Sequence, residues 1–194
     1  MQISKETSSA LRLSPTRPAA PAGSVIVRDS SAADMGTIQA IYADQVLFGF
    51  ASFEETPPSV TELLARREAI LDGDLPYLTA ELSGRVVGYS YASRFRPRPA
   101  YRGTVEDSVY VAADMRGRGV GQALLEALIA RCEAGPWREM VAVIGDSGNT
   151  GSIGLHQKLG FRLVGTLQGV GFKHGRAVDT VLMQRRLDLP RASG

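Results

Sequence analysis

The chain contains a single cysteine, Cys132, among its 194 residues, so it can form no internal disulfide. That scarcity fits a reducing compartment, and we expect the protein to be cytoplasmic. Because Cys132 falls among the apolar residues of a predicted helix, it indicates a buried structural thiol. Only two histidines accompany it, widely spaced, so the sequence offers no cluster with metal-ligand spacing and we expect no metal.

Long hydrophobic runs are also missing. No apolar stretch reaches the ~20 residues that cross a bilayer, and the first 24 residues contain no continuous apolar segment typical of a secretory signal. The formal net charge of +2 is too small to indicate a nucleic-acid or membrane partner. We therefore expect neither of these partners.

The remaining composition, 44% hydrophobic and 22% charged residues, is typical of an ordinary globular domain. Residues 1–24 are rich in Ser, Pro and Ala and predict a flexible tail, and residues 189–194 predict a short C-terminal one. Between them, residues 25–188 carry strand and helix signals in the order β-α-α-β-β-β-α-β-α-β-β. This order predicts one α/β (α+β) domain with a mixed, mostly antiparallel sheet of about seven strands flanked by about four helices.

Local signals place several element boundaries. Ser31 with Asp34, and Ser59 with Glu62, have the spacing of capping boxes and predict the first two helix starts. The pair Ser83-Gly84 joins "YLTAEL" to "RVVGYSYASRF" and predicts a hairpin. The last two strands are predicted as "FRLVGTLQ" and "DTVLMQRRL", around the turn "GFKHGR".

A glycine-rich turn precedes the longest predicted helix, in "MRGRGVGQALLEALIA" from Met115 to Ala130. Glycine permits a tight turn, and a helix N-terminus attracts anions such as phosphate. The order of residues matches neither the G-x-G-x-x-G fingerprint of dinucleotide-binding folds nor a Walker motif. Taken alone, the turn is either a phosphate site or a glycine-rich loop without a ligand.

Several further motifs resolve that choice by resemblance. The pattern Arg116-x-x-Gly119-x-Gly121 after "SVYV", with "NTGSIGLHQKLGF" roughly thirty positions later, resembles the GCN5-related N-acetyltransferase (GNAT) superfamily. Within it, "SFEETPP", "AYRGTVEDSVYV", "VAVIGDSGN", "LHQKLGF" and "GFKHGR" are similar to the phosphinothricin and methionine sulfoximine/sulfone acetyltransferases. The resemblance extends from Val25 to Leu187. It implies the GNAT fold, acetyl-CoA as co-substrate, and direct transfer, in a ternary complex, to the α-amine of a small amino-acid-like compound.

The resemblance also implies which residues hold acetyl-CoA. Six consecutive residues can present backbone N–H groups to the pyrophosphate, and the preceding strand is expected to diverge from "EMVAVIG" so that its backbone pairs with pantetheine. The expected pyrophosphate residues are Arg116, Gly117, Arg118, Gly119, Val120 and Gly121. The expected contacts to the rest of the molecule are Val109, Tyr110, Val111, Asn149, Ser152 and Lys158.

Two residues are expected to move protons, because an amine must lose one and a thiolate leaving group gains one. Strand alternation puts Glu106, Ser108 and Tyr110 on one face and Asp107 on the other. From position alone Glu106 is either a solvated carboxylate or a base; the resemblance implies the catalytic base. His156 stands where most of the superfamily has a tyrosine, and the resemblance implies an acid toward the thiolate or an orienting residue.

The loop "RFRPRPAYRG" is expected to select the substrate. An arginine can bind the carboxylate of an amino acid through paired charge-assisted hydrogen bonds, although a solvated basic loop has the same composition. The substrate residues that the resemblance implies are Phe53, Arg96, Arg98, Tyr101, Tyr110 and Gly145.

Two alternatives stay open on the sequence alone. The first is an acetyltransferase for a protein N-terminus or a polyamine, which would favour acidic residues over Arg96 and Arg98. The second is a CoA-binding sensor without turnover. Related enzymes are generally homodimers, so we expect a homodimer here, with the loop around Phe53 contributing to a shared site.

Overall fold

The computed structural model describes residues 23–188, and the predicted tails lie outside this range apart from Gly23 and Ser24. Its strands form one sheet in the order β1-β2-β3-β4-β5-β7-β6. The strands are β1 (Ile26–Asp29), β2 (Tyr77–Leu82), β3 (Arg85–Arg94), β4 (Thr104–Val111), β5 (Glu139–Gly145), β6 (Arg162–Lys173) and β7 (Arg176–Arg186). The α-helices in this range are α1 (Met35–Phe48), α2 (Val60–Asp72), α3 (Val120–Glu133) and α4 (Thr150–Lys158). The predicted element order and mixed sheet are confirmed.

One strand pair differs from the rest: β4 and β5 run parallel, whereas every other neighbouring pair is antiparallel. Helix α3 makes the crossover that a parallel pair requires. The two strands pair only from Thr104 opposite Glu139 to Asp107 opposite Ala142. Beyond Asp107 they diverge, as the sequence predicted, and a gap opens between their carboxyl ends.

The backbone that borders this gap can be identified from the β3 side. The Ala112 N–H donates to the Val87 carbonyl, and the Thr104 carbonyl accepts from the Phe95 N–H, so even-numbered residues of β4 bond toward β3. Because alternate residues of a strand bond in opposite directions, the amides and carbonyls of Val109 and Val111 face the gap.

Two hydrophobic clusters cover opposite faces of the sheet. On one face, α3 buries Leu124, Leu125 and Leu128 against residues of the central strands. The second cluster packs α1 and α2 on the other face, where residues such as Met35 and Ile38 surround tyrosines. Cys132 is fully buried in the first cluster and burial raises the pKa of its thiol to about 12, so the prediction of a buried structural thiol is confirmed.

The helix starts follow their predicted caps with one difference. The Ser59 side chain accepts from the Glu62 N–H at 3.2 Å and α2 begins one residue after Ser59. At the first cap, the Asp34 carboxylate accepts from the Ser31 N–H at 2.7 Å and also binds Arg28 at 2.8 Å. This doubly held turn is a 3-10 turn, so α1 begins only at Met35.

The final hairpin is tighter than predicted. Strand β6 continues to Lys173 and β7 begins at Arg176, so most of the predicted turn "GFKHGR" belongs to strands and only His174-Gly175 turns. Both of these residues have positive φ, +48° and +76°, as a two-residue hairpin turn requires. A register shift between Leu167 and Gly171 interrupts the pairing of β6 with β7, and Gly169 lies within it with a positive φ of +61°.

Candidate active site

The gap between β4 and β5 widens into a cavity of about 670 Å³. Its walls come from the end of α1 and the following loop, the diverging strand ends, the glycine turn and the first turn of α4. The cavity brings together most of the residues expected to hold acetyl-CoA, with Gly145 beside them. They are Val109, Tyr110, Val111, Arg116, Gly117, Gly119, Gly121, Asn149 and Ser152.

Three expected cofactor residues lie outside the lining of this cavity. The Val120 side chain points into the core and is 1% exposed, which fixes the start of α3. The Lys158 ammonium donates to the Gln122 side chain at 2.7 Å, and Arg118 lies exposed in the turn. Of these three, Arg118 and Val120 can contribute only through the turn that they form.

The geometry of the turn explains its glycines. Gly117 and Gly119 have φ of +73° and +79°, the left-handed region that glycine adopts without strain. Gly119 is the residue that caps α3, and no acidic residue occupies the first turn of that helix. A Cβ on Gly121 would lie 3.4 Å from Leu155 on the cavity wall, so its absence leaves space in the cavity. The turn therefore presents a helix N-terminus to the cavity, which suits a phosphate.

Part of the cavity wall was missed by the sequence analysis. It consists of the end of α1 and the loop after it, including Asp44, Gln45, Phe48 and Phe50. These residues lie far from the glycine turn in sequence, and no motif there marked them. Gly145 requires its small size here, because a Cβ would collide with the Phe50 carbonyl oxygen.

Glu106 lies half-buried on the face of β4 opposite Asp107 and does not line the cavity. Burial and the neighbouring charge of Asp107 raise its pKa to about 7, although the positive charge of Arg96 acts in the other direction. A carboxyl group with a pKa near 7 is well matched to a general base at neutral pH.

His156 is buried in α4 and uses both ring nitrogens. Its Nδ1 lies 2.7 Å from the Ser152 carbonyl oxygen, and its Nε2 lies 3.0 Å from Oδ2 of Asp107. Burial alone would lower its pKa, but the hydrogen bonds and the negative charge of Asp107 raise it above the ordinary value. Strand alternation predicted the correct face for Asp107 but no role, because nothing local in the sequence indicates a partner 49 positions away.

The residues expected to bind substrate lie outside the cavity lining, apart from Tyr110 and Gly145. Arg96 stacks on Phe95 with its guanidinium carbon 5.1 Å from the ring centre, and Tyr101 meets the same ring edge-on at 5.7 Å. Arg98 caps the short turn Pro99–Tyr101 and is exposed. Because Arg96 acts electrostatically on Glu106, the structure brings this loop toward the expected base.

Phe53 packs elsewhere, close to Gly171 of β6 and to Gly145. The preceding loop is held by two buried contacts. Ser52 hydrogen-bonds through its hydroxyl to Tyr42 at 2.8 Å, and its carbonyl accepts from the Lys173 ammonium at 2.6 Å. The Tyr42 ring in turn meets the Tyr110 ring edge-on at 5.1 Å. These contacts connect the loop to the cavity wall.

Residues 23–188 contain neither a membrane-spanning helix nor a metal-binding cluster. None of the helices in this range is long and apolar enough to span a membrane. The same residues contain no group of three or more His, Cys, Asp or Glu side chains arranged to hold a metal ion.

Comparison with known proteins identifies the family. The family model for the GNAT acetyltransferase domain matches residues 27–182. The phosphinothricin N-acetyltransferase of Alcaligenes faecalis is 58% identical over 163 residues, which are 84% of this chain and 81% of that protein. The L-methionine sulfoximine/L-methionine sulfone acetyltransferase of Pseudomonas aeruginosa is 44% identical over 175 residues, 88% of this chain and 99% of that protein.

A solved structure indicates the same family. The GNAT superfamily phosphinothricin acetyltransferase from Sinorhizobium meliloti, determined in complex with AcCoA, superposes with a TM-score of 0.82 and 46% identity, covering 88% of this chain and 92% of that chain. The cavity described above, with its glycine turn and the exposed backbone of β4, suits that donor. This chain therefore belongs to the GNAT acetyltransferase family, and it is an N-acetyltransferase whose acetyl donor is acetyl-CoA.

Proposed function

We propose that this enzyme acetylates the α-amine of a small amino-acid-like compound, with phosphinothricin, methionine sulfoximine and methionine sulfone as candidate substrates. The observation that carries the proposal is that the half-buried carboxyl of Glu106 lies within the electrostatic influence of Arg96, which belongs to the loop after β3. Glu106, with a pKa of about 7, is suited to accept a proton from an ammonium group. The neighbouring guanidinium of Arg96 supplies the positive charge that an amino-acid carboxylate needs.

The residues of the cavity are proposed to bind the donor. The amides of the turn from Arg116 to Gly121 would bind the pyrophosphate, with Arg116 adding charge. The backbone groups of Val109 and Val111 that face the gap would pair with the amides of pantetheine, and Asn149 and Ser152 would bind from α4. This arrangement directs the acetyl group toward the point where β4 and β5 separate.

Glu106 would take a proton from the ammonium group, and the amine nitrogen would then attack the acetyl carbonyl carbon. The C–S bond breaks, and the thiolate sulfur takes a proton that His156 supplies. We propose direct transfer in a ternary complex, because Cys132 is the only cysteine of the chain and is buried with a raised thiol pKa.

The substrate side would be formed by the loop that follows β3. Arg96 and Arg98 would bind the carboxylate, and Tyr101, Tyr110 and Phe53 would surround the side chain, near Gly145. A polyamine or protein N-terminus would instead favour acidic side chains. The acidic residues Asp44 and Asp146 on the cavity wall face arginines, Arg116 at 3.9 Å and Arg176 at 2.7 Å.

The test is release of the CoA thiol from acetyl-CoA with a panel of amines. The panel contains phosphinothricin, methionine sulfoximine, methionine sulfone, the twenty amino acids, spermidine and a short peptide. We expect turnover with the sulfoximine-like amino acids. Turnover only with spermidine or peptide would overturn the substrate class, and silence with acetyl-CoA still bound would favour a sensor.

Arg98→Ala is expected to raise the KM for the amine and leave the Kd for acetyl-CoA unchanged. The Arg98 guanidinium has no hydrogen-bond or ion-pair partner among residues 23–188, so its loss costs no internal contact. A charge-assisted hydrogen bond contributes roughly 1.5–3 kcal/mol, which corresponds to a rise of about 10- to 100-fold. Steady-state kinetics with the preferred amine measures this effect.

The matched control is Arg102→Ala in the same loop, whose guanidinium turns back to the Pro99 carbonyl at 3.4 Å. We expect its KM to stay within about twofold of the wild type, below the size of one hydrogen bond. An unchanged KM in Arg98→Ala would transfer the carboxylate contact to Arg96.

A homodimer is proposed on the surface of β6, the edge strand of the sheet. Large apolar side chains are exposed along it, including Phe172 at 73% and Val170 at 59%. An exposed apolar edge strand favours pairing with another chain, and here the proposed occupant is a second copy. Phe53 packs on Gly171 of the same strand, so the interface would border the proposed substrate site. We further propose that residues 25–188 act as one catalytic domain and that the enzyme works in the cytoplasm.

Val170→Glu is expected to convert the dimer into a monomer, because a buried interface would then contain an unpaired charge. Light scattering after size exclusion would give twice the 20.8 kDa chain mass for the wild type and the single mass for the variant. The control Leu71→Glu, an exposed apolar residue on α2, should leave the dimer intact. A monomeric wild type would contradict the proposal.

A further inference from the structure

A buried histidine–aspartate pair lies beneath the diverging ends of β4 and β5. His156 is 3% exposed and Asp107 is 6% exposed, and the distance from Nε2 to Oδ2 is 3.0 Å. The other ring nitrogen, Nδ1, lies 2.7 Å from the Ser152 carbonyl oxygen. The proposed function uses His156, but it gives no role to Asp107.

These two contacts limit where the hydrogens of the His156 ring can lie. A carbonyl oxygen only accepts hydrogen bonds, so Nδ1 of His156 must carry a hydrogen toward Ser152. The 3.0 Å contact between Nε2 and Oδ2 of Asp107 needs one further hydrogen, and Nε2 carries it when Asp107 is a carboxylate. With Asp107 as a carboxylate, the imidazole is doubly protonated, and burial makes the loss of either partner costly.

Among the groups around His156, Asp107 is the one that can pair with the positive charge of a protonated imidazole. Glu106 precedes Asp107 on β4 but faces the opposite side of the sheet. From α3, Cys132 faces the pair as a neutral thiol, because burial and the charge of Asp107 raise its pKa to about 12. From β7, the guanidinium of Arg185 is bound to the Glu133 carboxylate and the Leu159 carbonyl. The Phe161 ring carries no charge and lies nearly perpendicular to the His156 ring, with 4.9 Å between the two ring centres.

The pair also borders a space. Asp107 and His156 line a small cavity of about 50 Å³, which shares Val109, Gly145 and Asn149 with the large one. The second carboxylate oxygen, Oδ1 of Asp107, is buried and has no hydrogen-bond partner among residues 23–188. A polar cavity of this size accommodates a water molecule, which can relay a proton between the pair and the gap.

We propose that Asp107 is a positioning residue that keeps His156 doubly protonated beneath the gap, so that a proton is available there when the thiolate leaves. The inference rests on the proposed function and deepens it. As the C–S bond breaks, a water molecule in the small cavity gives a proton to the departing sulfur, forming the S–H bond, and receives the proton released when the Nε2–H bond of His156 breaks. The imidazole is left neutral and regains its proton from solvent after product release, while Glu106 returns its proton to solvent.

The protonation state can be measured without turnover, by nitrogen-15 NMR of the histidine rings. The chain has only two histidines, and the exposed His174 serves as an internal reference that His174→Asn assigns. At about pH 7.5 we expect both ring nitrogens of His156 to be protonated, above the range in which ordinary imidazole keeps both protons. A single protonated nitrogen in the wild type overturns the inference.

The variant Asp107→Asn preserves the shape but removes the charge. Its amide can donate to Nε2, so His156 should become neutral with the hydrogen on Nδ1. We expect kcat to fall by roughly 10- to 100-fold, no more than loss of the acid itself in His156→Gln, while both KM values stay within about twofold. The alkaline limb of the kcat profile should move to lower pH.

Asp29→Asn is the control, since it removes an aspartate bound to Arg131 at the surface and should leave kcat unchanged. If Asp107→Asn lowers kcat while His156 stays doubly protonated, Asp107 has a structural role only and the inference fails. If Asp107→Asn does not fold, nitrogen-15 NMR of the wild type still tests whether His156 is doubly protonated. Silence of the amine panel would remove the proposed function but not the protonation state, so the two failures are distinguishable.

Discussion

Replacing Glu106 with glutamine is expected to lower kcat by roughly 10²–10⁴-fold, the contribution of a general base. The affinity for acetyl-CoA should not change, because Glu106 does not line the large cavity. Steady-state kinetics and calorimetric titration with acetyl-CoA measure the two quantities separately. Glu139→Gln is a matched control on the neighbouring strand, where the carboxylate accepts only from Gln184, and its kcat should be unaffected. Wild-type turnover in Glu106→Gln would remove Glu106 from the mechanism.

The pH profile tests the same role. Only the ionised carboxylate accepts a proton, so kcat/KM of the wild type should fall as the pH drops through about 7, the pKa of Glu106. This acidic limb should disappear from the residual activity of Glu106→Gln. A profile that keeps its limb in the variant would assign that limb to another group.

As the pH rises, the free energy of unfolding should decrease, whereas kcat/KM should increase. The pKa of Glu106 rises from 4.5 to about 7 on folding, so the folded protein binds its proton more tightly than the unfolded chain does. The stability that this provides is present below pH 4.5 and is lost as the pH rises through 7. At about pH 8 the neutral Glu106→Gln variant should therefore melt at a higher temperature than the wild type, and the difference should vanish in acid.

Replacing Gly119 with valine is expected to abolish binding of acetyl-CoA at concentrations that saturate the wild type. Gly119 has φ of +79°, and a β-branched residue held there costs about 1–3 kcal/mol. Because Val120 is anchored in the core, the turn must relieve this strain on the cavity side, where it displaces the amides of Gly117 and Gly121. Calorimetric titration with acetyl-CoA measures the loss, and circular dichroism verifies that the variant is folded.

Two further variants separate backbone strain from a general glycine effect. Gly119→Asn should retain more affinity than Gly119→Val, because asparagine tolerates the left-handed region better. Gly154→Ala, on the outside of α4 with nothing within 4 Å of its added Cβ, should bind acetyl-CoA as the wild type does. A wild-type Kd in Gly119→Val would show that this turn is not the pyrophosphate site.

The order of strands and helices was predictable because local chemistry encodes it. Ser59 and Glu62 cap α2, Ser83-Gly84 forms the β2–β3 turn, and both features depend on residues adjacent in sequence. Strands β6 and β7 were predicted too short and the turn between them too long, because glycines at a register shift within a strand look the same in sequence as glycines in a loop. Period-two alternation likewise separated Glu106 from Asp107 correctly, although it could not tell what each would contact.

By itself, the sequence determined the family, the strand that would diverge, the glycine turn and the residues to examine, since each is a local pattern or an ordered set of motifs. Only the tertiary structure decided which of them meet. It joined Asp107 to His156 across 49 positions, brought the end of α1 to the cavity, and placed the Arg96 loop beside Glu106 instead of in the cavity lining. The pKa of Glu106 was also decided by the tertiary structure, because it depends on burial and on neighbouring charge that exist only after the chain has folded.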